Sequence, residues 1–132
     1  MPALLDTHVL LWWIAGDSRL TRAQRRILAA ASSDAPLLVA DISLWEVATL
    51  VDLGRVELDL PVRDWLEKAT ALPLVRRVSV TPAIAAETMS LPAGFHRDPA
   101  DRLIVATARV LGARLLTSDR RIIESRAVPT VC

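Results

Sequence analysis

The chain has 132 residues, of which 52% are hydrophobic and 23% are charged, which excludes a disordered chain and allows one sizeable core. Its formal net charge of +1 excludes a strongly basic surface spread over the whole molecule. The single cysteine, Cys132, excludes an internal disulfide and a structural zinc site built on thiolates, and it is typical of a reducing compartment.

The apolar N-terminus is not typical of a targeting or membrane segment. It lacks a basic region and carries Asp6 and His8, which a signal peptide or a spanning helix would not place there. No other apolar run reaches the ~20 residues that a membrane span needs. We therefore expect one soluble domain over residues 1–132, located in the cytoplasm and without a membrane partner.

Short apolar runs alternate with longer helical patterns. Several predicted helices begin at a proline or end at a glycine, positions that these residues favour. In chain order we predict strand 3–5, helix 8–15 ended by Gly16, helix 21–32 with Thr21 as N-cap, strand 37–39, helix 43–53 closed by Gly54, helix 61–72, strand 75–80, helix 82–90, loop 91–97, helix 99–111 ended by Gly112, strand 114–117, helix 119–125 and strand 128–131.

The predicted strands are short and apolar on both sides, which is typical of a parallel sheet covered by helices on both faces. The alternation of strands and helices therefore predicts an α/β fold with three layers. In such folds, functional sites lie at the carboxyl ends of the strands, near the point where the strand order reverses.

Five acidic residues stand at these strand ends or at the starts of helices: Asp6, Glu46, Asp98, Asp101 and Asp119. Each of them also has a structural interpretation. The Ser-x-x-Glu pattern at 43–46 is a capping box that satisfies the first N–H groups of a helix. Asp98 and Asp101 around a proline form an ordinary helix start, Asp119 suits an N-cap and Asp6 suits a turn.

Taken together, these acids favour a functional site, because crowded carboxylates repel one another and raise each other's pKa unless a cation lies among them. The chain offers few nitrogen or sulfur ligands, and oxygen ligands select hard cations such as Mg²⁺ or Mn²⁺. Hydrolysis of phosphodiesters is the chemistry that uses such a cluster, since a metal ion activates water and neutralises charge on the leaving oxygen.

Four segments of the chain form an ordered set of motifs: Asp-Thr-His at 6–8 with Leu-Trp at 11–12, Ile-Ser-Leu-Trp-Glu at 42–46, Asp-Pro-Ala-Asp-Arg-Leu-Ile-Val-Ala-Thr-Ala at 98–108, and Leu-Thr-Ser-Asp at 116–119. Together they resemble the PIN-domain family, and more narrowly the VapC-type toxins of bacterial toxin–antitoxin pairs. The resemblance covers essentially the whole chain.

The resemblance implies a PIN-like α/β/α fold with a central four- or five-stranded parallel sheet. It also implies an Mg²⁺-dependent endoribonuclease that forms a homodimer and is blocked by a small antitoxin. By the same resemblance, Asp6, Glu46, Asp101 and Asp119 hold the metal and carry catalysis. Asp98 is then the N-cap of its helix and an acid that acts through the metal ligands.

Polar neighbours of the acids have two interpretations each. The hydroxyls of Thr7, Thr117 and Ser118 either orient carboxylates and hold a phosphate, or form local turn hydrogen bonds. His8 stands where many family members carry a small polar residue, and it either contacts substrate or packs.

Four arginines are candidates for contacts with RNA phosphates: Arg97, Arg102, Arg120 and Arg121. For Arg102, an ion pair with Asp98 or another acid is the alternative. The four tryptophans lie in predicted helices, where core or interface packing is favoured over base stacking. Because Trp12 and Trp13 are adjacent on a helix, they point in different directions, which favours a dimer or partner surface.

The main alternative function is a catalytically silent PIN-like module that binds RNA or protein. Loss of an acid would be its signature, and all four acids are present, so we expect an enzyme. A receiver domain is disfavoured because the only lysine, Lys68, lies in a mid-chain helix. A phosphatase of the haloacid dehalogenase type is disfavoured because position 8 is histidine rather than aspartate.

Overall fold

Five short strands and seven helices make up the chain in a computed structural model that describes residues 1–132. The strands are β1 (Ala3–Leu5), β2 (Leu37–Ala40), β3 (Val75–Val78), β4 (Arg114–Leu116) and β5 (Thr130–Val131). The helices are α1 (Thr7–Ala15), α2 (Arg22–Ala29), α3 (Asp41–Asp52), α4 (Val62–Ala69), α5 (Pro82–Glu87), α6 (Pro99–Leu111) and α7 (Arg120–Ser125), and a 3-10 turn at Thr88–Ser90 continues from α5.

The five strands form one parallel sheet in the order β3-β2-β1-β4-β5. β1 lies at the centre, where Leu5 is level with Val39 of β2 and with Leu116 of β4. The chain builds outward through β2 and β3 and then returns to the other side of β1, so the strand order reverses between β1 and β4. The predicted α/β fold with a parallel sheet of four or five strands is confirmed, with five strands.

Successive side chains of a strand point to opposite faces of the sheet, and helices cover both faces. Leu5 and Leu116 belong to an apolar cluster that includes residues of α1, α2, α3 and α4, whereas Leu4 and Leu115 belong to a second cluster with α6 and α7. These four leucines are fully buried, and burial of one such side chain contributes about 1.5–3 kcal/mol. The helices therefore fix the strand ends, including those that carry polar residues.

Several helix ends form as the sequence predicts. The Thr21 hydroxyl accepts from the Gln24 N–H, and the Gln24 side chain accepts from the Thr21 N–H, which makes a complete capping box at the start of α2. Gly16 and Gly112 end α1 and α6 in the left-handed conformation, with φ of 65° and 61°. None of the helices is both long and apolar enough to span a membrane.

The predicted start of α3 is wrong. The helix begins directly after β2, with Ala40 as an N-cap that makes no side-chain hydrogen bond, so the pattern at 43–46 is not a capping box. Ser43 is fully buried inside the helix, and Glu46 lies in its second turn rather than its first. β2 runs directly into α3 without a connecting loop, so Ser43 and Glu46 lie inside the helix instead of at its cap. Their side chains can therefore face the end of β1.

Other differences concern the ends of elements. α2 and α4 stop three residues earlier than predicted, at Ala29 and Ala69, and β3 stops at Val78. Thr117 follows β4 instead of ending it, and β5 is limited to Thr130–Val131. Hydrophobic patterns continue past the last regular hydrogen bond, so they overestimate such ends.

Candidate active site

Asp6 is the first polar residue after the central strand. It is only 6% exposed, and it serves as N-cap of α1 by accepting from the Thr7 N–H at 2.9 Å. Its other carboxylate oxygen accepts from the Thr117 hydroxyl at 2.7 Å. Thr117 follows β4, the neighbour of β1, so the parallel pairing of these strands brings the two residues together. Asp6 is thereby held in one orientation at the point where the strand order reverses.

Glu46 reaches the same place from α3. The hydroxyl of Thr7, which is fully buried, hydrogen-bonds to the Glu46 carboxylate and lies 2.9 Å from the buried Ser43 hydroxyl. Ser43 and Glu46 are three residues apart on the helix and so share one face. The Ser-x-x-Glu pattern therefore serves a contact with the next element, in place of the predicted helix cap.

Two further acids come from the start of α6. The Asp98 carboxylate accepts from the Asp101 N–H at 3.0 Å, which confirms Asp98 as the N-cap. Asp101 is 7% exposed, and one of its carboxylate oxygens lies 2.7 Å from Nε2 of His96. Glu46, Asp98 and Asp101 each offer a carboxylate oxygen that lies within 4.8 Å of the other two. Asp98 therefore lies within the acidic group, close enough to the other two acids to share a metal ion with them.

Asp119 stands at the start of α7 and completes the set. It is the N-cap of this helix, and one carboxylate oxygen accepts from the Arg121 N–H at 2.9 Å. Its own N–H donates to the Thr117 hydroxyl at 3.1 Å, so Thr117 connects Asp119 to Asp6. Nη2 of Arg121 lies 3.4 Å from Asp119 and 3.6 Å from Asp101.

All five acids line one open cleft of about 450 Å³. His8, Ser118, Arg55 and Arg121 also line it. A second cavity of about 560 Å³ shares His8, Trp12 and Arg55 with this cleft but contains none of the five acids. The five candidate site acids therefore all lie in the smaller cleft.

Burial raises the pKa of three of these acids, Asp6, Glu46 and Asp101, and neighbouring carboxylates raise it further. Hydrogen bonds from Thr117 to Asp6, from Thr7 to Glu46 and from His96 to Asp101 offset part of this effect. A group of carboxylates that resists losing its protons gains from a bound cation. The donor set contains only carboxylate oxygens, so it fits a hard divalent metal ion.

The predicted arginines separate into different environments. Arg121 lines the cleft, whereas Arg97 and Arg120 are exposed and do not.

Arg102 donates to the backbone carbonyls of Thr88, Phe95 and His96, so the ion pair predicted for it is wrong. These bonds fix the loop before α6, because a guanidinium has five donors and can hold several carbonyls at once.

Three residues of the site have no signal in the sequence. Gln24 is fully buried, and its side-chain amide donates to the carbonyls of Thr117 and Val131, which fixes the segment that carries Asp119. His96 contacts Asp101, and Arg55 lines the cleft from the loop after α3. Gln24 also completes the capping box of α2, which is a local contact, but nothing local predicts its contact across the sheet.

Comparisons with known proteins agree with this geometry. Residues 3–127 match the PIN domain family. The chain is 44% identical over 123 residues to "Ribonuclease VapC22" of Mycobacterium tuberculosis, an alignment that covers 93% of this chain and 91% of that protein.

Solved structures show the same fold at low identity. A VapBC2 complex of Rickettsia felis bound to promoter DNA has a TM-score of 0.72 at 13% identity, covering 99% of this chain and 98% of that one. The FitAcB structure of Neisseria gonorrhoeae has a TM-score of 0.70 at 20% identity, covering 98% and 96%. The chain therefore belongs to the PIN-domain family, in its VapC ribonuclease branch.

Proposed function

We propose that the chain is an Mg²⁺-dependent endoribonuclease that hydrolyses phosphodiester bonds of RNA and acts as the toxin of a type II toxin–antitoxin pair. The observation that carries this proposal is the convergence of five acids from four separate segments in one cleft. Membership of the VapC branch supports a ribonuclease over the alternative of a catalytically silent binding module.

The group formed by Glu46, Asp98 and Asp101 would hold the ion, with Asp6 and Asp119 beside it. A divalent cation at such a site activates water near neutral pH and neutralises charge on the leaving oxygen of a phosphodiester. Mg²⁺ suits carboxylates together with retained waters, and Mn²⁺ is the natural substitute.

The protein's own part is to keep the acids in place before substrate arrives. Thr117 orients Asp6, Thr7 orients Glu46, and each hydroxyl is fully buried and so has little freedom to turn away. Preorganised charge of this kind avoids reorganisation during the reaction. His8, Ser118 and Arg55 lie along the cleft, where we propose that they contact the RNA backbone.

The test is cleavage of labelled single-stranded RNA by the purified chain in Mg²⁺, in Mn²⁺ and in EDTA. We expect cleavage only with a divalent ion, and we expect Asp6→Asn and Asp101→Asn each to lower the rate by about 100-fold or more. Glu124→Gln is the matched control, because Glu124 is an exposed acid on α7 that lies outside the cleft.

Cleavage in EDTA would contradict the proposed function, and so would full activity of both aspartate variants. Thermal unfolding followed by circular dichroism confirms that each variant is folded.

The toxin role is a separate part of the proposal. The 44%-identical relative is a VapC protein and the structural neighbours are toxin–antitoxin complexes, which supports a small antitoxin partner. We propose that the chain acts in the cytoplasm as a homodimer, and Trp45, which is 58% exposed on α3, supports an apolar contact surface.

We expect induced expression of the chain to arrest growth, and Asp101→Asn to abolish the arrest. Co-expression of the small protein encoded beside it should restore growth. Continued growth with active enzyme would contradict the toxin role and leave the nuclease role standing.

A further inference from the structure

Arg121 is the one arginine that contacts the acids of the cleft. Its guanidinium Nη2 lies 3.4 Å from a carboxylate oxygen of Asp119 and 3.6 Å from one of Asp101. The side chain is 62% exposed, belongs to the first turn of α7 and lines the cleft. Arg55 also lines the cleft but forms no ion pair with any acid, and the Arg102 guanidinium is committed to backbone carbonyls.

Of the two carboxylates that Arg121 contacts, Asp101 belongs to the group that would hold the divalent ion, and Asp119 lies beside it in the cleft. Without an ion, the guanidinium offsets part of the repulsion among the acids, at an Asp101 oxygen that also contacts Nε2 of His96 at 2.7 Å. With an ion in place, the same carboxylate oxygens face two positive groups. A divalent ion would carry twice the charge and would bond the oxygens directly, so the guanidinium would be the group displaced.

An arginine released from these acids would still line the cleft in which we propose that the RNA is cleaved. Its side chain is long and largely exposed, so it can turn from the acids to the solvent without disturbing the core. Guanidinium groups bind phosphate oxygens with two parallel hydrogen bonds. Arrival of the ion would therefore release Arg121 from the carboxylates and leave it able to bind a phosphate.

We propose that Arg121 is an internal counter-cation that pairs with Asp101 and Asp119 while the cleft holds no divalent ion, and that it binds an RNA phosphate once the ion takes over these carboxylates. This inference rests on the proposed function. It makes Arg121 a competitor of the ion and a ligand of the RNA. Removal of its charge should therefore strengthen Mg²⁺ binding and weaken RNA binding.

The first measurement is Mg²⁺ binding to the RNA-free protein by isothermal titration calorimetry. Arg121→Gln removes the competing charge, and we expect Mg²⁺ to bind about three- to tenfold more tightly, the range set by loss of two exposed ion pairs. Arg121→Lys keeps the charge and should bind Mg²⁺ within about twofold of the parent protein.

Arg120→Gln is the matched control for bulk charge. It removes the same charge from the adjacent residue, whose side chain is 85% exposed, lines no part of the cleft and lies 4.0 Å from Glu124 alone. We expect its Mg²⁺ affinity to stay within about twofold of the parent, because exposed charges are strongly screened.

The second measurement is the KM for single-stranded RNA at saturating Mg²⁺ over a series of salt concentrations. We expect Arg121→Gln to raise KM about three- to tenfold. The slope of log KM against log salt should fall by the amount that about one phosphate contact contributes. A residue that only stabilised α7 would not tighten Mg²⁺ binding while it weakened RNA binding.

Two results would overturn the inference alone: a parent that binds Mg²⁺ and cleaves RNA while Arg121→Gln leaves Mg²⁺ affinity unchanged or lower, or an equal gain of affinity in Arg120→Gln. A parent protein that neither binds Mg²⁺ nor cleaves RNA would refute the proposed function, and this inference with it.

Discussion

At the scale of single residues, burial and metal binding favour opposite protonation states of the acids in the cleft. Asp6 and Asp101 are almost fully buried, which favours their neutral form, yet binding of a cation needs them charged. Thr117 and His96 reduce this conflict by hydrogen bonding to the carboxylates, and they do not remove it, since the pKa of each acid remains raised. The site is therefore least stable when it is most ready to bind metal.

A pH dependence of stability follows from these raised pKa values. In the window above the ordinary aspartate value of 3.8, the folded protein holds more protons on these acids than the unfolded chain does. The free energy of unfolding in EDTA should therefore fall as the pH rises through this window. Saturating Mg²⁺ should reduce this loss, because the ion stabilises the charged form.

Urea unfolding in EDTA and in Mg²⁺, from about pH 4 to pH 7, measures both effects. Asp17 contributes with the opposite sign, because Arg19 lowers its pKa to about 2, so its stabilisation is lost only as the pH falls below 3.8. Asp101→Asn should flatten the slope in EDTA. A free energy of unfolding that rises with pH across the window would contradict the account.

The acids themselves were predictable from sequence, and most of their partners were not. Asp6 and Asp119 follow apolar strands, and strand ends of a parallel sheet meet at one edge. Gln24, by contrast, contacts the carbonyl of Val131, which is 107 residues away in the chain. Such a contact depends on how α2 packs across the sheet, and no local pattern contains that information.

At the scale of elements, the start of α6 combines a helix cap with a candidate metal ligand in Asp98. Two substitutions separate these roles. Asp98→Asn keeps an oxygen that can accept from the Asp101 N–H, so stability should stay close to that of the parent. Asp98→Ala removes the cap and should lower the free energy of unfolding by about 1 kcal/mol.

Both variants lose the carboxylate, so both should bind Mg²⁺ more weakly, by about tenfold. Calorimetric titration with Mg²⁺ and urea unfolding give the two quantities separately. Unchanged Mg²⁺ affinity in Asp98→Asn would remove Asp98 from the metal site and leave it as a cap alone.

The element pattern explains which predictions succeeded. Gly16, Thr21 and Gly112 mark helix ends through backbone geometry that is local to the sequence, and all three are confirmed. The pattern at 43–46 is equally local, yet the capping box that it predicts does not form, because α3 begins directly at the end of β2. Whether a serine and a glutamate three residues apart cap a helix or face a neighbour depends on where the helix starts, which pattern alone leaves open.

At the scale of the whole molecule, the net charge of +1 conceals an uneven distribution. Five of the fifteen acidic residues line one cleft, so the remaining surface is more basic than the total indicates. Divalent ions would neutralise the cleft and leave the arginines free to meet phosphate. A chain that is nearly neutral in sum can thus act on a polyanion.

Asp6 at the end of β1, Asp98 and Asp101 at the start of α6, Asp119 at the start of α7 and Glu46 of α3 line one cleft, which we propose is a divalent metal site. A crystal soaked in Mn²⁺ tests it directly through anomalous scattering. We expect a peak within about 2.5 Å of carboxylate oxygens of Glu46, Asp98 or Asp101, with Arg121 turned away from Asp101. Anomalous peaks found only outside the cleft, with Arg121 still paired to Asp101 and Asp119, would contradict it.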